Sequence, residues 1–104
     1  MRVYISGKIS DLDLEVADFN FKLAESELRS EHGVYFRDMI NPRLVKPLFG
    51  IDNWFCHMVT DVWELLACTH IALQPNWTDS RGARIEKRIA GWIGLEVIEL
   101  KWQN

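Results

Sequence analysis

The chain has 104 residues, 48% of them hydrophobic, with five Trp and a formal net charge of −3. That length makes one domain with room for a real core, the acidic balance argues against a general nucleic-acid binder, and no apolar run reaches the roughly 18 residues of a membrane span. A strand-like start in place of a leader, with Cys56 and Cys68 outside any C-x-x-C spacing, gives the expectation of a cytoplasmic protein with reduced thiols.

Arg2 to Ser6 (R-V-Y-I-S) reads as a buried strand, and Gly7 marks a tight turn where backbone can approach a ligand. One glycine is no dinucleotide fingerprint. From about Leu12 to Glu31 the pattern is helical, with Val16, Phe19, Leu23 and Leu28 on one side and His32-Gly33 as the stop. Val34 to Ile40 reads as the second strand, broken by Asn41-Pro42. Arg43 to Ile51 holds Pro47 and Gly50 without a clear period. It reads as a loop long enough to bind substrate.

Asp52 or Asn53 can cap a second helix that runs to about Ala67. Trp54, Met58 and Leu65 make an apolar stripe, and Asp61 lies on it. That carboxylate either faces a site or borders the stripe in solvent. Thr69 to Gln74 reads as the third strand. Asp79 or Ser80 can cap the next helix, which ends near Trp92 with Gly94 at its exit. Ala83, Ala90 and Ile93 form its stripe, and Glu86 falls on that stripe. If the preceding strand is parallel, this helix opens at the carboxyl edge of the sheet, where open α/β sheets bind ligands. Glu86 is then an acid or nucleophile aimed at a crevice, kept ionised by the helix dipole, Arg84 and Lys87. The plain alternative is a solvated carboxylate. Arg81, Arg84, Lys87 and Arg88 either meet a phosphate at the helix N-terminus or form a solvated face. Leu95 to Leu100 is the last strand, and Lys101 to Asn104 a tail.

The order β-α-β-α-β-α-β, with right-handed crossovers, predicts an α/β fold. The expected form is a minimal Rossmann-like or flavodoxin-like three-layer sandwich with a four-stranded parallel sheet, strand order 2-1-3-4. His32, His57 and His70 are scattered, and no metal site is expected.

Four motifs occur in order: Y-I-S-G at Tyr4 to Gly7, I-N-P at Ile40 to Pro42, W-x-x-x-M-x-x-D at Trp54 to Asp61, and S-x-G-x-x-x-E at Ser80 to Glu86. Together they resemble the nucleoside 2-deoxyribosyltransferase-like superfamily, in particular the small phage and bacterial proteins grouped as DUF4406. The 2'-deoxynucleoside 5'-monophosphate N-hydrolases are a related branch. The resemblance implies that Glu86 attacks the anomeric carbon of a deoxyribose, that Tyr4 orients it, and that Asp61 assists departure of the base. It implies that Ser80 and Gly82 hold a 5'-phosphate and that Gly7 lies beside the sugar. Arg81 tilts the expectation toward a phosphorylated substrate, and Trp54 and Trp77 are candidates to stack on a base. Lys8 stands where these proteins often have a small residue or proline. The resemblance further implies a small-molecule nucleoside or nucleotide and no cofactor, beside the expectation from charge and hydropathy of no polymeric nucleic acid and no membrane. It implies a homo-oligomer in which a neighbour's C-terminal residue, Asn104 here, can complete the site. The expected activity is cleavage of an N-glycosidic bond, by hydrolysis or transfer. Two alternatives stand beside it: a non-catalytic nucleotide-binding or sensing module, and an interaction protein whose Trp residues serve an oligomer interface.

Overall fold

The computed structural model describes residues 1–45 and 53–102. In chain order the elements are β1 (Val3–Ser6), α1 (Leu14–His32), β2 (Met39–Ile40), α2 (Trp54–Leu66), β3 (His70–Leu73), α3 (Arg81–Ile93) and β4 (Glu96–Glu99). Short 3-10 turns at Phe36–Asp38, Pro42–Leu44 and Trp77–Asp79 lie between them. The four strands form one parallel sheet in the order β2-β1-β3-β4. This is the small Rossmann/flavodoxin-like arrangement that the alternation of strands and helices predicts.

Side chains alternate across β1 and so feed two cores. Val3 and Ile5 pack with Ala72 against Phe21, Ala24 and Leu28 of α1. Tyr4 packs with Ile71 and Leu73 against Leu65 of α2 and Ala90 of α3. One helix therefore covers one face, and two helices cover the other. The direction of the strand order reverses between β1 and β3, which opens a crevice at their carboxyl ends.

The helix ends follow local chemistry. Asp13 caps α1 by accepting the Glu15 amide N–H at 3.0 Å. Asn53, not Asp52, caps α2, accepting from Cys56 at 2.8 Å; Asp52 lies outside the described residues. Ser80, not Asp79, caps α3, accepting from Ala83 at 3.1 Å. Gly33 (φ 65°) and Gly94 (φ 83°) close α1 and α3 in the left-handed conformation that suits glycine.

Two expectations are corrected. The buried face of α1 is Ala17, Asn20, Phe21, Ala24 and Leu28, whereas Val16 and Phe19 are exposed. Ala17 and Ala24 let the helix lie close to the sheet and turn Phe21 and Leu28 into the core, which leaves Val16 and Phe19 on the outer side. The second strand is also shorter than Val34 to Ile40. The Val34 N–H is already given to the Leu28 carbonyl at the helix exit, Phe36–Asp38 form a 3-10 turn, and pairing begins at Met39 opposite Val3.

Several large apolar side chains remain at the surface. Phe55, Val59 and Trp63 recur every four residues along the outer face of α2, and Trp92 is exposed on α3. Cys56 and Cys68 are free thiols. Among the described residues no helix is long and apolar enough to cross a membrane.

Candidate active site

β1 places Tyr4 and Ser6 two residues apart, so both point to the face that α3 covers. There they meet Glu86, a carboxyl only 4% exposed. Tyr4 Oη donates to Glu86 Oε2 at 2.7 Å, and Ser6 Oγ donates to Oε1 at 2.7 Å. Hydrogen bonds to a carboxylate are about twice as strong as neutral ones, so both oxygens are fixed by a rigid strand. Ser6 belongs to the Y-I-S-G motif but was assigned no role from the sequence; its two-residue spacing from Tyr4 was the signal.

Asp61 projects from α2 within interaction range of both Glu86 and Tyr4. Burial pushes Glu86 up to about 8, and the neighbouring Asp61 charge adds to the rise, against the hydroxyls of Tyr4 and Ser6. Burial pushes Asp61 up to about 6, against the pull of His57 and of its bonds to Glu86 and Tyr4. Two carboxyls this close in a dry site do not both ionise readily, so the pair holds one proton near neutral pH. Tyr4 itself is raised by burial and then by Glu86, so it stays a donor.

Glu86 is therefore not held ionised by its neighbouring cations, as the sequence suggested. Arg84 Nη1 donates to the Thr78 carbonyl at 3.0 Å, and Lys87 Nζ lies over the Trp77 ring at 5.6 Å. With Ser80 as cap, Glu86 also stands in the second turn of α3, where the helix dipole has weakened.

The linkage has a definite sign. Carboxyls raised on folding contribute stability that is fully present below their unfolded values near 4, and that is lost as pH rises toward 8. Glu86→Gln removes the ionising group. The variant should gain on the native protein by on the order of 2 kcal/mol between pH 5 and pH 8.5, measured by urea unfolding at each pH. A gap independent of pH would contradict the raised carboxyl.

A cavity of about 430 Å³ opens beside Glu86, within the range of small-molecule sites. Gly7, Trp54, Asp61, Ser80, Gly82 and Glu86 all line it. Arg81 stands at its edge, its guanidinium 4.6 Å above the Trp54 ring. One face of Trp54 is thus taken by Arg81. Trp77 packs on the core of the α2/α3 face and is not part of the lining. Arg43, Asn53 and His57 also line the cavity and were not assigned there from the sequence. For His57 the signal was its place one turn before Asp61 on the same helix face. Lys8 gives its backbone N–H to Asn76 Oδ1 at 3.0 Å, and Asn104 lies outside the described residues.

Gly7 has a steric reason. A Cβ there would stand 2.7 Å from both Oε1 and Nε2 of Gln74, a fully buried side chain. Gly7→Ala should destabilise the fold by about 2–3 kcal/mol through overpacking, read as a lower urea midpoint with unchanged slope.

A family model described as a domain of unknown function, DUF4406, matches residues 1–99. The chain belongs to the DUF4406 family. The match runs from β1 through β4, so the DUF4406 domain includes both carboxyls and the whole sheet. No curated protein and no solved structure matches this DUF4406 chain. Among its described residues no cluster of His, Cys, Asp or Glu is placed to hold a metal ion.

Proposed function

We propose that this protein cleaves the N-glycosidic bond of a 2'-deoxynucleoside or its 5'-monophosphate, with Glu86 as nucleophile. The observation that carries the reading is the Tyr4–Glu86–Ser6 arrangement beside Asp61: one carboxyl aimed by two short hydroxyl bonds, a second within reach, both at a small-molecule cavity. Breaking a glycosidic bond leaves positive charge on the sugar, which a close carboxylate captures as an ester. The bonding pair leaves with the base, which takes a proton from the Asp61 carboxyl. Water then adds to the anomeric carbon and gives a proton back to Asp61, releasing Glu86; a second base in place of water gives transfer. The two carboxyls share one proton, and the larger rise at Glu86 puts it there in the free site. The reaction begins when that proton passes along the Glu86–Asp61 bond to Asp61, leaving Glu86 the anion and Asp61 the acid.

Ser80 and Gly82 form the wall for a 5'-phosphate, and Gly7 lets the sugar approach the backbone of β1. The reading places the enzyme in the cytoplasm, with its exposed Phe55, Val59 and Trp63 row covered by a second copy. Light scattering at micromolar concentration should therefore show a mass of at least a dimer.

Chromatography tests the activity. Each 2'-deoxynucleoside and each 5'-monophosphate is incubated with the protein, and free base is measured. Release of base establishes cleavage, and an added second base separates hydrolysis from transfer. Nucleotides that raise the melting temperature without any base release would make the protein a binding module instead.

A further inference from the structure

We infer that Asn76 is a positioning residue for the site: its side-chain oxygen holds the segment from Gly7 to Ser10 as one wall of the cavity and ties that wall to the turn that carries Ser80. The inference rests on the nucleotide reading above and adds a residue that governs substrate affinity. Asn76 itself is not part of the cavity lining.

The crevice opens where β1 and β3 part, and Asn76 acts at that point. Gln74 gives its N–H to the Ser6 carbonyl at 2.8 Å, one step past the paired residues Ser6 and Leu73. In a parallel ladder the next bond would run from the Lys8 N–H to the Gln74 carbonyl. That carbonyl accepts from Trp77 at 3.0 Å instead, which leads the chain into the 3-10 turn Trp77–Asp79. Asn76 Oδ1 takes the Lys8 N–H at 3.0 Å. A side chain thus supplies one more rung after the main chains have diverged. Gly7, in the same stretch, lies directly against the Gln74 side chain.

The bond joins two walls. Gly7, Ile9 and Ser10 line the cavity after β1, and Ser80 and Gly82 line it at the start of α3. Between β3 and α3 the Asp79 N–H goes to the Asn76 carbonyl and the Ser80 N–H to the Trp77 carbonyl, each at 3.1 Å. Asn76 precedes this turn but does not cap it with its side chain. A purely local cap would give its oxygen to the turn's own amides. Here the oxygen serves an amide 68 positions away in the chain. Glu86 is held separately, by Tyr4 and Ser6. Loss of the Asn76 bond therefore loosens the wall and leaves the nucleophile aimed. Such a loss weakens substrate and transition state alike, so it falls on KM more than on kcat.

The test compares variants that remove the acceptor, Asn76→Leu at similar size and Asn76→Ala by truncation, with Asn76→Asp, which keeps it. Thermal melting selects the folded variants. In the first two the Lys8 amide should exchange its hydrogen at least about tenfold faster, read by NMR. With a nucleotide whose base the native protein releases, their KM should rise about tenfold while kcat stays within about threefold. Asn76→Asp should keep both Lys8 exchange and KM within about threefold of native. Unchanged Lys8 exchange or unchanged KM on removal of the acceptor, a loss carried by kcat, or no recovery in Asn76→Asp overturns the inference and leaves the nucleotide reading in place. No base release by the native protein from any 2'-deoxynucleoside or 5'-monophosphate overturns both.

Discussion

Glu86→Gln should lower base release at least about a thousandfold, while nucleotide still raises the melting temperature of the variant. The amide matches the carboxyl in size; its oxygen can accept from one of the two hydroxyls, which meet separate oxygens of Glu86 at 2.7 Å each, and its NH₂ can donate to the other. The fold therefore has no steric reason to change. What is lost is the negative charge on the atom that would bond to the sugar. An amide oxygen cannot form a stable glycosyl ester, and it stabilises an oxocarbenium charge far less than a carboxylate does. Release by the variant within tenfold of native would remove Glu86 from the reaction.

Asp61→Asn should cost about 10²–10⁴-fold in kcat, the usual contribution of a positioned proton donor. Its dependence on the leaving group separates it from Glu86→Gln. A base that already carries positive charge, such as 7-methylguanine, departs without needing a proton. On that substrate the Asp61→Asn deficit should fall below about tenfold, whereas the Glu86→Gln deficit should persist. A uniform deficit on both substrates would mean that Asp61 orients the ligand instead of protonating the base. The half-buried position of Asp61 on the cavity wall, against the nearly complete burial of Glu86, fits the donor to the departing base and the nucleophile to the sugar.

Much of this architecture was legible because its signals are local. Ser80 and Gly94 bracket α3, Gly33 ends α1, and helical crossovers between successive strands dictate a parallel sheet. Glu86 and Asp61 stood out because a carboxylate on an apolar stripe breaks the helical period. Features set by packing were harder to see. Ala17 and Ala24 bury where Val16 and Phe19 do not, since closeness to the sheet favours small residues over hydrophobic ones. Arg43 lines the cavity with its Nε held by Asp18, 25 residues earlier in the chain. No periodicity marks such a pairing. The proton affinity of Glu86 is set first by burial, which leaves no local mark in the sequence, and Arg84 and Lys87, though near in sequence, are occupied elsewhere.

The central place of β1 sets a demand on the order of events in folding. Val3 pairs with Met39 on one side and with His70 on the other, and Glu86 reaches Tyr4 across 82 positions of chain. On the ribosome, β1 emerges several seconds before β3, at roughly 5–20 residues per second. Through that interval a strand of fully buried residues, Val3 to Ser6, waits without its main partner. Pairings so distant in sequence make folding slow and leave the nascent chain open to association. The two hydroxyl bonds to Glu86 can form only in the last stage, when α3 docks on β1. The hydroxyl–carboxyl cluster and the completed fold thus arrive together, and a chain stalled before α3 carries neither.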